Sequence, residues 1–391
     1  MMSIHEQLYW EHLGVAAALG ISVFVILGLL LKLQDITGSK LHIWAMIAFF
    51  AVNATDAVNS FAYSDAFSVS NTFYRWNDVL IPGFLVSLYF YVRALTSSDA
   101  KLVHLDLIHL LPFAAGALCL APALILPGDV RRGVVDASIS EGYHQAVEIG
   151  ENAFWVVWIM ILGIYGTMCA RRLIAHKRNI RVLFSDLEGK TLRWLDGLVA
   201  TILGLALIVI VDEIRQLIGY ASLRDGVASL AYDFVLTASF GIFALRAKPP
   251  LPQWSRAIIT DGKSDTTRPK PYARSGLQQH DIQRYAARLE KRMAEGQLWR
   301  QHALNLRGLA SEIAVSSIHL SEVLNTNLGM SFYDYVNQCR VADACELLIH
   351  TDMTVIEISE TVGFNSKSTF NTSFKKVTEH TPSQWRATHK P

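Results

Sequence analysis

Near its C-terminus the chain carries Asn365, Ser366, Lys367, Ser368, Thr369, Asn371 and Thr372, interrupted by Phe370 and Phe374. Aromatic residues four apart share one face of an α-helix, which leaves the amides, hydroxyls and Lys367 on the opposite edge. Such side chains can donate to and accept from base edges, and Lys375 and Lys376 suit phosphate oxygens. Ser317, His319 and Ser321 offer a second, less basic edge of the same kind. Polar groups of another sort stand in apolar surroundings: Asn53, Asp56 and Asn59, three apart, and Asp233. Inside hydrocarbon such groups either hydrogen-bond between helices or line a ligand site, here one suited to a cation or a proton. Catalytic constellations are missing. The 13 histidines form no HxH or HxxxH pair, the 4 cysteines form no CxxC, and no glycine-rich phosphate loop occurs. Neither catalysis nor a metal or cofactor is expected.

Two pairs of helices must position the C-terminal edges. Residues 355–362 read as a support helix, Gly363 as a turn that can take positive φ, and 366–376 as the helix bearing the edge. Ser359 is small enough to let the two helices approach, and Phe370 with Phe374 anchors the second to the core. Residues 306–326 repeat the pattern, with Leu309, Ile313, Val315, Leu320 and Leu324 facing inward. A longer helix over 331–350 joins the pairs, its apolar stripe running from Phe332 and Val336 to Ala344 and Leu348. One such pair is a weak signal, whereas two in tandem, separated by one long helix, are much more specific.

On these residues, 306–386 resembles the DNA-binding domain of AraC-type transcription regulators. The matching stretches are Leu-Ala-Ser-Glu-Ile at 309–313, Ser-Ser-Ile-His-Leu-Ser at 316–321, Gly-Met-Ser-Phe at 329–332, Val-Gly-Phe at 362–364, Ser-Thr-Phe at 368–370, Phe-Lys-Lys at 374–376 and Thr-Pro-Ser-Gln-Trp-Arg at 381–386. The resemblance implies two helix-turn-helix units that enter successive major grooves of promoter DNA. Three departures stand out. The first recognition helix, 317–327, has no basic residue and includes Glu322; Ala314 and Glu379 replace glycines that the family favours. From 298 onward eight Lys and Arg face nine Asp and Glu. Weak non-specific affinity and a shallow salt dependence are therefore expected, with the second unit dominating contacts.

The other half of the chain has a different composition. Across 391 residues, 51% are hydrophobic and 18% charged, with a net charge of +1. Apolar runs recur at 13–31, 43–62, 79–95, 107–126, 153–170, 195–211 and 227–245, each near the ~20 residues that an α-helix needs to cross hydrocarbon. Loops after the first, third and fifth runs, together with Arg93 at the end of the third, hold eleven Lys and Arg, the opposite set five. That bias puts the N-terminus outside and everything after residue 245 in the cytoplasm. A basic, proline-containing stretch at 246–277 reads as a flexible tether. In the helical lead-in after it, Ile282, Tyr285, Leu289 and Met293 form a stripe that suits a dimer seam or packing onto its own domain.

The expected fold is therefore all-α. A seven-helix transmembrane bundle (1–245) and a linker (246–277) precede a cytoplasmic domain (278–391) with two helix-turn-helix motifs. The expected function is transcription regulation from a bacterial cytoplasmic membrane. Its partners would be double-stranded promoter DNA, the lipid bilayer, a signal ligand and a second copy of the chain. The competing reading is a membrane receptor or transporter whose C-terminal domain binds protein, which the acidic balance of that domain favours.

Overall fold

The structure is a computed structural model that describes residues 4–35, 39–62, 76–97, 100–131, 140–188, 190–220, 227–246, 251–252, 254–255, 258–259 and 277–390. Among the described residues the secondary structure is helical, without a strand. Two compact units form. One comprises Met1–Leu173 and Arg193–Pro249, the other Ile174–Leu192 and Pro250–Pro391.

Each apolar run of the first unit falls in a helix. These are α1 (Ile4–Asp35), α2 (Leu41–Ala62), α3 (Pro82–Thr96), α4 (Leu111–Ile125), α5 (Glu141–Leu183), α6 (Arg193–Leu217) and α7 (Val227–Arg246). Leu13–Gln34, Leu41–Asn59, Trp76–Thr96, His104–Ile125 and Glu141–Leu183 are long and apolar enough to cross a membrane. In α6 and α7 several side chains lie outside the described residues. Pro112 stands in the first turn of α4 after a 3-10 segment at His104–Leu110, where its missing N–H costs no helical hydrogen bond, whereas Pro122 lies inside the helix. Large apolar side chains point away from protein, among them Phe24 at 69% and Leu105 at 83% exposure. Exposed apolar surface of this extent marks a face that meets protein or membrane.

Polar groups tie this unit together. Asn53 Nδ2 donates to Ser22 Oγ on α1 at 2.9 Å and to Thr237 Oγ1 on α7 at 3.3 Å. Asp56 Oδ1 accepts from Asn77 Nδ2 at 2.8 Å. Both residues therefore act as interhelical links. Asn59 is half-buried, and the side chain of Asp233 lies outside the described residues.

In the second unit, side-chain caps define the helices. The lead-in is α8 (Gln279–Gly296). The first pair is α9 (Leu306–Glu312) and α10 (Ser317–Thr326), followed by α11 (Phe332–His350). The second pair is α12 (Val355–Thr361) and α13 (Lys367–Thr378), followed by α14 (Pro382–His389). Asn305, Ser316, Ser331, Thr354, Ser366 and Thr381 each accept a hydrogen bond from a backbone N–H of the helix they precede. Each such cap is worth about 1 kcal/mol. Thr354 with Glu357, and Thr381 with Gln384, close reciprocal capping boxes.

Two apolar clusters flank α11. One gathers Leu306, Leu309, Leu320, Leu324, Phe332 and Val336; the other Val341, Leu348, Ile358, Phe364, Phe370 and Phe374. Leu251 and Ile258, within the stretch expected as a tether, are buried in the first cluster, as are Ile180 and Leu183 from the end of α5. Apolar side chains at those positions outweigh the polar composition around them. The stripe of α8 is likewise used inside the unit: Ile282, Leu289 and Met293 are buried, and Tyr285 packs beside Ile282 and Val323.

Turn geometry explains the departures from the family pattern. Gly363 has φ of 98°, but Ala314 and Glu379 hold left-handed φ of 53° and 64° with a Cβ present. A Cβ on Gly363 would stand 2.7 Å from the Arg300 carbonyl oxygen and 2.8 Å from that of Trp299. Gly363→Ala should therefore cost roughly 2–4 kcal/mol, from left-handed strain plus overpacking. Ala314→Gly and Glu379→Gly should each stabilise by about 0.5–1 kcal/mol. Thermal unfolding of the detergent-solubilised chain measures all three, and equal behaviour of Gly363→Ala and Ala314→Gly would contradict the assignment.

Candidate nucleic-acid interface

Helix α13 is fixed by its inner face. Phe370 and Phe374 are fully buried with ring centroids 5.6 Å apart, Phe364 meets Phe370 edge-on at 5.3 Å, and Trp385 closes the cluster at 6.1 Å from Phe374. Ser359 of the support helix is buried at 3% exposure. The outer edge then carries exposed Asn365, Lys367, Ser368, Thr372 and Lys375, with Asn371 half-buried. Two predicted residues serve local structure first. Ser366 Oγ accepts from the Thr369 N–H at 3.3 Å, and the two hydroxyls lie 2.9 Å apart.

An open groove of about 900 Å³ runs beside this edge. Lys367, Asn371 and Lys375 of α13 line one wall, and the first residues of α12 and α14, including Thr354, Thr381 and Ser383, line another. Both helix starts are closed by capping boxes, Thr354 with Glu357 and Thr381 with Gln384, so the groove's positive charge comes from Lys367, Lys375 and Lys376. Thr354, Thr381 and Ser383 are additions to the residues expected from sequence. Their signals were the T-x-x-E and T-x-x-Q spacings, which mark helix starts but not the surface onto which those starts open.

Few cations are left to face DNA. Lys376 Nζ pairs with Asp334 Oδ1 at 2.7 Å, which joins α13 to the start of α11. Burial pushes the Asp334 carboxyl up, but hydrogen bonds from Lys376 and Ser331 outweigh it and hold it below the usual carboxylate range. Arg386 donates to the carbonyls of Leu348 and Met353, and Lys390 pairs with Asp352. Arg300 forms a two-point pair with Asp343, at 2.7 and 2.8 Å. Arg340 is 1% exposed. Of the eight basic residues from 298 onward, Arg307, Lys367 and Lys375 remain exposed with no ion pair among the described residues.

The first pair is arranged differently. Ser317 is half-buried, and the half-buried His319 stacks on Tyr285 of α8, ring centroids 6.2 Å apart. Ser321, expected on an exposed edge, is instead 1% exposed, with Glu322 beside it at 8%. Core residues Leu320 and Leu324 cover one side of α10, and Ile282 and Ala286 of α8 cover Val323. Arg288 of α8 reaches the Ile313 carbonyl at 3.1 Å, and Arg292 pairs with Glu312 at 3.0 Å. Of the two roles expected for the stripe of α8, packing onto its own domain is the one seen, and it covers part of α10.

Residues 309–388 match the family described as "Helix-turn-helix domain". Over 92 residues, 24% of this chain, it is 30% identical to the "Probable transcription factor PqrA" of Proteus vulgaris and covers 75% of that protein. An uncharacterized HTH-type transcriptional regulator of Staphylococcus aureus (strain COL) is 35% identical over 83 residues, 21% of this chain. The chain spans only 11% of that regulator's length. Among solved structures, the C-terminal domain of AraT, a response regulator from Geobacillus stearothermophilus, is 31% identical. That match covers 28% of this chain and 86% of the other, with a TM-score of 0.24.

Salt titrations test the division of cations. Lys375→Ala should weaken specific and unrelated duplexes alike and reduce the slope of log K against log salt by about 0.9. Lys376→Ala should change that slope less, because its charge already meets Asp334. Asn371→Ala should cost about 1–3 kcal/mol of discrimination at one base pair. Equal slopes for the two lysine variants would refute the pairing.

Proposed function

The chain belongs, through its C-terminal domain, to the AraC-type helix-turn-helix transcription regulators, and on that premise we propose that it binds promoter DNA while held in a membrane. One observation carries the DNA reading: α13, anchored by Phe370 and Phe374, turns Lys367, Asn371 and Lys375 outward beside a groove lined by two helix starts. In this reading both helix pairs are helix-turn-helix motifs. The second reads bases through α13, and the first contributes Ser317 and His319 at the start of α10. Relatives of the domain are transcription regulators, a class that is generally not enzymatic, and no catalytic role is proposed.

The membrane reading rests on five apolar helices of spanning length and on the outward-facing Phe24 and Leu105. Seven spans, at the positions of α1 to α7, place the N-terminus outside a bacterial cytoplasmic membrane and the DNA-binding domain inside. The eleven-to-five bias of Lys and Arg between alternate loops supports that orientation. Asn53 and Asp56 hold the bundle together, so a signal would act by favouring one arrangement of these helices over another. A signal ligand need only differ in its affinity for the two arrangements to shift the balance. Two copies of the chain would occupy one promoter site, paired through a surface other than the buried stripe of α8.

Genomic fragments selected by the full chain in nanodiscs should include a promoter whose transcription changes when the gene is deleted. Footprinting on that promoter should show protection in successive major grooves. Absence of sequence-specific duplex binding at every salt concentration would overturn the regulator reading. A reporter fused after residue 391 should give a cytoplasmic signal, and a periplasmic signal would overturn the seven-span topology.

A further inference from the structure

Helix α5 runs well past its apolar stretch. It extends over Glu141–Leu183, of which Glu141–Leu173 belongs to the first unit and Ile174–Leu183 to the second. Ile180 and Leu183 are fully buried in the cluster that holds Leu306, Leu309, Leu320, Phe332 and Val336. Beyond the helix, Phe184 pairs with Asn305 in an isolated antiparallel bridge. The Ser185 N–H donates to the Leu304 carbonyl at 3.3 Å, and its hydroxyl donates to the same oxygen at 2.6 Å. Arg181 lies over the Tyr333 ring at 5.8 Å.

Ser185 also meets Arg340. Its Nη2 reaches Ser185 Oγ at 3.5 Å and the Gln301 carbonyl at 2.9 Å, while Nε donates to the Trp299 carbonyl at 2.7 Å. The guanidinium also lies over Phe364, beside the turn of the second pair, at 5.4 Å. Residues 299–301 therefore touch three things at once: Arg340, the Gly363 turn and, through Leu304 and Asn305, the segment that follows α5. A shift of Ser185 would be felt by Arg340, which is 1% exposed and also bound to the Trp299 and Gln301 carbonyls.

We infer that residues 174–192 are a control element of the DNA-binding domain, through which the apolar helices set the pose of the two helix pairs. The inference rests on the DNA-binding reading above. It assigns that role to α5, an unbroken helix held by its own hydrogen-bond ladder, in place of the basic stretch between 260 and 276. Ser185 is a positioning residue here, acting on DNA only through Leu304 and Arg340.

Two measurements on the full chain in nanodiscs test this. The first is the double variant Phe184→Cys with Asn305→Cys, carrying a protease site inserted between 262 and 268. Mild oxidation should keep the two cleavage fragments joined in most chains, and reductant should separate them. Either single-cysteine variant should leave them apart. No cross-link, although both cysteines react with maleimide, would overturn the docked segment. The second compares duplex affinity for the promoter that the parent chain selects. Ser185→Val should change it severalfold with the thermal transition retained, Ser185→Thr should restore the parent value, and removal of 262–268 should have no effect. Unchanged affinity in Ser185→Val, or an equal change on removing 262–268, would overturn the control role. Failure of the parent chain to select any duplex would instead remove the DNA-binding reading, while the cross-link would still decide whether the segment is docked.

Discussion

A guanidinium sealed inside the C-terminal unit governs how its parts can be arranged. Removing a charge from water costs several kcal/mol unless its hydrogen-bonding capacity is met. Arg340, 1% exposed, meets it with carbonyl oxygens of Trp299 and Gln301, the Ser185 hydroxyl and the face of Phe364. Burial pulls its pKa down to about 10, against the nearby Asp186, Tyr333 and Cys339, so the side chain still carries its charge at neutral pH. A neutral replacement would strip the partly buried Trp299 and Gln301 carbonyls of their donor. Neighbouring Arg300 and Asp343 repeat the logic at a more exposed position, with Trp299 Nε1 adding a third hydrogen bond to the carboxylate at 2.8 Å. Segments distant in sequence are thereby referred to one helix, α11. Since α11 also joins the two pairs, their spacing is set by groups that never approach DNA.

That arrangement accounts for the charge of the domain. Near neutrality looked like a poor basis for contacting a polyanion. The structure shows that the basic residues are not merely few but mostly committed: Arg300, Arg340, Lys376, Arg386 and Lys390 all hold the fold together. Lys367 and Lys375 are left on α13, and Arg307 on the first pair. Arg288 and Arg292 of α8 are similarly occupied by the turn of the first pair. A count of Lys and Arg therefore overstates the electrostatic footprint, because Coulombic attraction to phosphate depends on which charges remain exposed and unpaired.

Much of the second pair was legible in the sequence because its signals are local. Phe370 and Phe374 at a spacing of four, Gly363 at a turn, and Ser366 before a helix each act within a few residues, and each sits where local rules put it. The family pattern also marked Ala314 and Glu379, and both prove to hold the left-handed conformation that glycine would have eased. What could not be read was packing between segments far apart. Ile174, Ile180 and Leu183 lie among arginines and lysines, so they look like the ragged end of a span. Leu251 and Ile258 are diluted by prolines and polar residues in the same way. Ser321 followed the periodicity of an exposed edge, but periodicity describes one helix and says nothing of a neighbour such as α8. Hydrophobic pattern finds elements; it does not find their partners.

If the regulator is held in a membrane, as proposed, a weak phosphate term has consequences. Such a protein cannot slide freely along a chromosome, and each strong non-specific contact would hold it on whichever DNA happened to pass. With most of its cations paired or buried, such a domain would keep that background low, and discrimination would fall to the amides and hydroxyls of α13. The cost is affinity, which tethering and a second copy on the same site can restore by raising effective concentration without new contacts. By their charge alone, the basic residues in the stretch between 246 and 277 would meanwhile suit anionic lipid. Under the proposed membrane location the neutral domain and the basic stretch would be complementary: one would avoid gripping DNA indiscriminately, and the other would favour the lipid surface.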